Sequence, residues 1–161
     1  MKIERRTPTD EKMMVPRLAD REGFVVVDGT WGTIQPLEVA LGIHTVAELE
    51  VIEHLNAGRP VIDTRGDVYR EQATIPGARG IPHEQIVDRV DELDRTQPTV
   101  LFCNGPQCAA TPEAVRALLE HGYPADKLRY YRGGIHDWMT LGLPVEGSRA
   151  AAPESNEDNA S

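Results

Sequence analysis

The class this sequence predicts is α/β, with a central, mainly parallel sheet flanked by helices on both faces. Three observations carry it. Short β-branched runs recur along the chain, most are followed by apolar side chains at helical spacing, and Gly or Pro punctuates the junctions. Parallel strands need long crossovers, and right-handed crossovers lay helices over both faces. At 161 residues, 40% hydrophobic and 27% charged, the chain suits one domain with its own core. Ligands are then expected at the carboxyl ends of the strands.

Residues 1–22 mix six basic and five acidic side chains with two prolines and read as a solvated N-terminal extension. The domain proper is expected over 23–146. Gly23-Phe24-Val25-Val26-Val27 is a short β-branched strand bounded by Asp28-Gly29, and 31–37 is a second extended candidate. Thr45 with Glu48 predicts an N-cap, opening a helix whose Val46, Leu49, Val51, Ile52 and Leu55 form an apolar face before Gly58. Pro60-Val61-Ile62-Asp63 follows as a buried strand. Ile75-Pro76-Gly77-Ala78 is a turn leading to a brief strand near Ile81, and residues 84–93 carry Ile86, Val87, Val90 and Leu93 at helical spacing. Thr99-Val100-Leu101-Phe102-Cys103 is the clearest buried strand. Thr111-Pro112-Glu113 reads as N-cap, N1 proline and first-turn acid of a helix ended by Gly122. Leu128-Arg129-Tyr130-Tyr131 resumes strand, Gly133-Gly134 turns, and 135–141 makes a short helix with Trp138 in the core. Residues 147–161 hold no large apolar side chain and are expected to be a disordered acidic tail.

The net charge of −9 argues against a nucleic-acid partner bound through phosphate neutralisation. With two cysteines, Cys103 and Cys108, there is no disulfide framework, and neither a secretory signal nor a membrane span is readable. A cytoplasmic protein is expected, with no membrane partner. His44 and His136 stand alone at expected helix starts and suit surface roles.

Cys103 ends the strongest strand, and Asn104-Gly105-Pro106-Gln107-Cys108 leads toward a helix N-terminus. A thiol there faces successive backbone N–H groups and the positive end of a helix dipole, both of which favour thiolate. No charged side chain occurs from Cys103 through Pro112, so any field at the sulfur comes from backbone dipoles or distant residues. The plainer reading of a strand-end cysteine is a small buried hydrophobe.

Asp63-Thr64-Arg65, Ile75-Pro76-Gly77-Ala78, a strand ending in Cys103, then Tyr131-Arg132-Gly133-Gly134 with Trp138 and Gly142-Leu143-Pro144 together resemble the rhodanese-like family over residues 43–146. The resemblance implies a rhodanese-like fold and a sulfurtransferase. Cys103 would take a sulfane sulfur from a small donor, thiosulfate or a persulfide, and pass it to a thiophilic acceptor such as a protein thiol. Asn104, Gly105, Pro106, Gln107 and Cys108 would cradle the sulfur, with Arg65 as a further substrate-binding candidate linked to Asp63. That chemistry needs no metal or organic cofactor.

The absence of Arg or Lys from the loop predicts that thiosulfate is a poor donor, and the missing loop-end arginine disfavours phosphoryl transfer. Arg132 is a candidate source of positive potential near the cradle. For Cys108 two readings stand open, a resolving thiol or a small residue packed under the loop. Two rival functions remain beside the sulfurtransferase: a non-catalytic interaction module of the same fold, and a Cys103/Cys108 dithiol redox protein.

Overall fold

The computed structural model describes residues 33–148 and, outside them, only the backbone pairing of β1 (Arg17–Leu18) with β2 (Val25–Val26). That antiparallel pair joins the expected strand at Val25 to the N-terminal extension. The rest of the extension and the tail beyond 148 lie outside the described residues.

Five strands follow: β3 (His44–Thr45), β4 (Val61–Asp63), β5 (Arg79–Gly80), β6 (Thr99–Phe102) and β7 (Leu128–Tyr131). They form one sheet in the order β3-β7-β6-β4-β5, and every pairing in it is parallel. Four helices accompany it: α1 (Glu48–Asn56), α2 (Asp67–Gln72), α3 (Ala110–Glu120) and α4 (Gly134–Thr140). No helix among the described residues is long and apolar enough to cross a membrane.

Alternation along the strands divides the core in two. Ile62, Leu101, Leu128 and Tyr130 face one way and pack with Ala114, Val115 and Leu118 of α3 and with Ile86. Val61, Val100, Phe102 and Tyr131 face the other way, against Val51 of α1 and Ile135 and Trp138 of α4. Burial on both faces explains why these strands read as continuous β-branched or apolar runs, and the expected α/β class is observed. Trp138 is core as expected, with its ring edge-on to Tyr131 and its indole N–H donating to Pro144 O at 2.7 Å.

Several local expectations shift. The first helix starts at Glu48, not after a Thr45 cap: Thr45 belongs to β3 and its hydroxyl donates to Leu37 O, while the Glu50 carboxylate accepts from Ala47 N at 2.9 Å. Leu49 points to solvent and His54 is buried instead, its Nε2 paired with Pro60 O at 2.9 Å and its pKa lowered by desolvation. Residues 84–93 are not one helix but 3₁₀ turns at His83–Gln85 and Val90–Glu92, which still bury Ile86 and Leu93. Helix α2 was not expected; its DVYREQ sequence buries no residue and so carries no apolar stripe. Residues 33–36 form no strand.

Candidate active site

Cys103 follows the last residue of the central strand β6 and is 1% exposed. Central placement is what fixes it, because β6 is hydrogen-bonded on both sides, by β4 and β7. The chain then turns through residues 104–109 into α3. Within the turn Cys108 N donates to Gly105 O at 3.0 Å, which folds the second cysteine back toward the first.

The loop is pinned from three sides. From α4, Ile135 N donates to Cys103 O and His136 N to Asn104 O, both at 3.0 Å. Gly133 and Gly134 permit this approach: Gly134 has φ +65°, and a Cβ there would stand 2.4 Å from Cys103 O. From β4, the Arg65 guanidinium grips Asp63 through Nε at 2.9 Å and Nη2 at 2.7 Å, donates to Ala73 O, and reaches the loop through Nη1 to Asn104 Oδ1 at 3.2 Å. Asp63 also accepts from Thr74 Oγ1 at 2.8 Å. From the N-terminal side, Gln35 N donates to Pro106 O at 2.7 Å, and Arg132 holds Gln35 O with Nε at 3.1 Å and Nη2 at 2.7 Å.

All the expected loop residues are therefore brought to one place. Gly105 and Cys108 are buried, while Asn104, Pro106 and Gln107 are half-buried at the mouth. Arg65 lies beneath the loop, 3% exposed, with its fork turned to Asp63 and its remaining reach to Asn104. Arg132 is tied to residue 35 rather than facing solvent. His136 sits against the loop, its Cβ beside Gly105, and so is no surface histidine.

The two thiols share one buried loop. Cys103 Sγ donates to Cys108 O at 3.6 Å, and both thiols are buried. Burial pushes the Cys103 thiol well up, and the negative charge on Cys108 adds to that. Cys108 is pulled down to about 6, first by the hydrogen bond from Cys103, then by the backbone N–H groups of Asn104 and Ala110 and the charge of Arg65, against the cost of its own burial. The pull toward thiolate is thus stronger on Cys108 than on Cys103.

Two threonines escaped the sequence reading. Thr111 is the second residue of α3 rather than its N-cap, which is Ala109. Its hydroxyl and its backbone N–H both favour charge on Cys103. Thr111 Oγ1 lies 2.8 Å from Thr64 Oγ1, which itself lies 3.0 Å from Phe102 O. A threonine three residues beyond a cysteine loop was the available signal, but cap preference explained it equally well. Gln35 carried no sequence signal, because its contribution is a backbone N–H and C=O.

A cysteine at the carboxyl end of the central strand of a parallel sheet, wrapped by the turn into the next helix, defines a thiol-centred α/β domain. Residues 48–141 match the rhodanese-like domain family, and the chain belongs to it. It is 30% identical over 102 residues to an HTH-type transcriptional regulator of Mycobacterium tuberculosis, covering 63% of this chain and 44% of the regulator. It is 29% identical over 85 residues to a sulfurtransferase of Allochromatium vinosum, covering 53% of this chain and 76% of that protein. Among solved structures, the rhodanese-like domain of an Anabaena protein superposes with a TM-score of 0.55 at 25% identity, over 73% of this chain and 91% of that one. The chain thus spans less than half the length of the regulator that it resembles.

Proposed function

We propose that the protein is a sulfurtransferase that carries a sulfane sulfur as a persulfide on Cys103. The observation that carries this reading is the buried Cys103 at the carboxyl end of the central strand, with Cys108 O 3.6 Å from its sulfur in the turn into α3, in a chain 29% identical over 85 residues to the Allochromatium sulfurtransferase. Cys103 passes its proton to the Cys108 thiolate as it attacks the outer sulfur of the donor. The S–S or S–S(O) bond of the donor breaks, and the donor's remainder leaves as thiolate or sulfite. The persulfide anion is then held by the Thr111 N–H and hydroxyl. Charge thus stays within one cradle throughout, which limits the reorganisation that each step requires.

Arg65 acts here as a positioning residue, since its fork is filled by Asp63, Ala73 O and Asn104. With Arg132 also engaged on Gln35, a low-charge persulfide fits the site better than doubly charged thiosulfate. The acceptor is a thiol-class nucleophile that attacks the terminal sulfur, and the setting is cytoplasmic.

Incubation with a low-molecular-weight persulfide followed by intact and peptide mass spectrometry is expected to add about 32 Da at Cys103, and Cys103→Ser to lower sulfur-transfer turnover at least about 10³-fold. An adduct that forms on Cys108 in the Cys103→Ser variant, or undiminished turnover in that variant, overturns the assignment.

The pH dependence follows from the same pair. Because Cys108 is depressed, the pair's negative charge is present above about 6 and lost below it. The rate of persulfide formation is expected to rise through about pH 6 and level off. A profile that rises only near 9, the ordinary thiol value, contradicts the shared-proton geometry.

A further inference from the structure

Cys108 has more to offer than a proton site. It is buried in the same cradle, its own carbonyl oxygen lies 3.6 Å from Cys103 Sγ, and the Cys108 N to Gly105 O bond at 3.0 Å folds it back over the loop. Closing the pair to the ~2.05 Å of a disulfide is a local movement within one short loop, which Gly105 makes pliable. A thiol so placed beside a persulfide has two choices of target sulfur. Attack on the outer one merely moves the sulfane sulfur across the cradle; attack on the inner one ends the cycle.

We propose that Cys108 is a resolving thiol, and that in the absence of an external acceptor the protein reduces its bound sulfane sulfur to sulfide. This rests on the Cys103 persulfide reading. The Cys108 sulfur attacks Sγ of Cys103, forming the Cys103–Cys108 bond and breaking the bond from Cys103 to the terminal sulfur. The proton held on Cys108 goes to that terminal sulfur, which departs as hydrosulfide. The persulfide anion and one thiol thus become one disulfide and HS⁻, with atoms and charge conserved. Two cysteine thiols are oxidised over the loading and closing steps, and the sulfane sulfur is reduced. A dithiol reductant, small or protein-borne, then opens the disulfide by exchange and resets the pair. The second activity is therefore a dithiol-dependent persulfide reductase, and the branch between transfer and release is set by whether an acceptor arrives before Cys108 attacks.

Two features make the inner sulfur the productive target. The terminal sulfur is small, and once protonated departs without any part of a donor molecule that must diffuse out. The cradle that holds charge on Cys108 through the N–H groups of Asn104 and Ala110 also keeps that sulfur a competent nucleophile.

The full chain, reduced and kept anaerobic, is charged with glutathione persulfide and freed of excess donor. Intact mass and released sulfide are then followed together. In the native sequence the adduct of about +32 Da is expected to give way to a species about 2 Da lighter than the reduced chain, with about one equivalent of sulfide per chain. In Cys108→Ala and Cys108→Ser, whatever fraction loads is expected to keep its adduct and to release sulfide only when a thiol is added. Thermal unfolding of both variants confirms the fold. A native adduct that persists with no lighter species overturns the resolving role, as does sulfide release from the variants at the native rate. If neither an adduct nor the lighter species forms in any chain, the persulfide reading itself falls, an outcome distinct from loading without closure.

Discussion

Asp63→Ala is expected to destabilise the domain by about 3–5 kcal/mol, a large share of the stability of an ordinary domain. The carboxylate is fully buried and accepts from Arg65 N at 3.0 Å, Arg65 Nε at 2.9 Å, Arg65 Nη2 at 2.7 Å and Thr74 Oγ1 at 2.8 Å. Removing it takes away the carboxylate that meets Arg65 Nε and Nη2, at a guanidinium that is 2% exposed. The cost is then that of breaking a buried ion pair rather than of losing one hydrogen bond. Adding Arg65→Met to the alanine variant removes the buried guanidinium as well and is expected to recover part of the loss, which a double-mutant cycle in urea measures. A single alanine variant within about 1 kcal/mol of the native protein shows that the pair is wet, because exposed ion pairs contribute that little. The same cycle separates stability from loop positioning. The double variant regains stability, yet it has lost the Nη1 contact to Asn104, so its rate of sulfur loading stays low.

That pair also shows what was legible in the sequence. Asp63 and Arg65 stand two residues apart at the end of an apolar strand, and a short-range link between them is nearly forced by that spacing. Strands β4, β6 and β7 were readable because burial on both faces makes them nearly continuous apolar runs, whereas the exposed edge strand at His44–Thr45 was mistaken for a helix cap. Cys103 was readable because it ends the clearest buried run. What failed to show were contributions without a side-chain signature. Gln35 acts through its backbone, α2 has no apolar stripe, and Thr111 carries a residue type that cap preference explains equally well. The 84–93 segment misled because 3₁₀ turns bury the same residues that an amphipathic helix would. The partition of charge between two thiols was hidden for a deeper reason. It depends first on how deeply each sulfur is buried and how the two meet, and spacing alone does not encode that.

Gly134→Ala is expected to lower the rate of sulfur loading about 100-fold while the sheet stays folded, because a displacement near 1 Å at a reacting centre has that scale of effect. At φ +65° any L side chain is strained, and the added Cβ would also stand 2.4 Å from Cys103 O, 2.7 Å from Asn104 C and 2.7 Å from Gly105 N. All three are backbone atoms and cannot rotate aside. The loop itself must retreat, and it is tethered to this helix turn by the Ile135 and His136 amides at 3.0 Å. The displacement therefore falls on the carbonyl of the nucleophile's own residue. Gly58→Ala supplies the control for strain alone. Gly58 has φ +69° with nothing within 4 Å of an added Cβ, so it is expected to lose about 1–2 kcal/mol of stability and to load at the native rate. If Gly134→Ala loads as fast as Gly58→Ala, the glycine pair serves only the turn, and the grip of α4 on the cysteine loop has no part in the chemistry. If loading fails in Gly134→Ala alone, the glycines after Arg132 are tied to Cys103 by contact, although 30 residues of chain separate them.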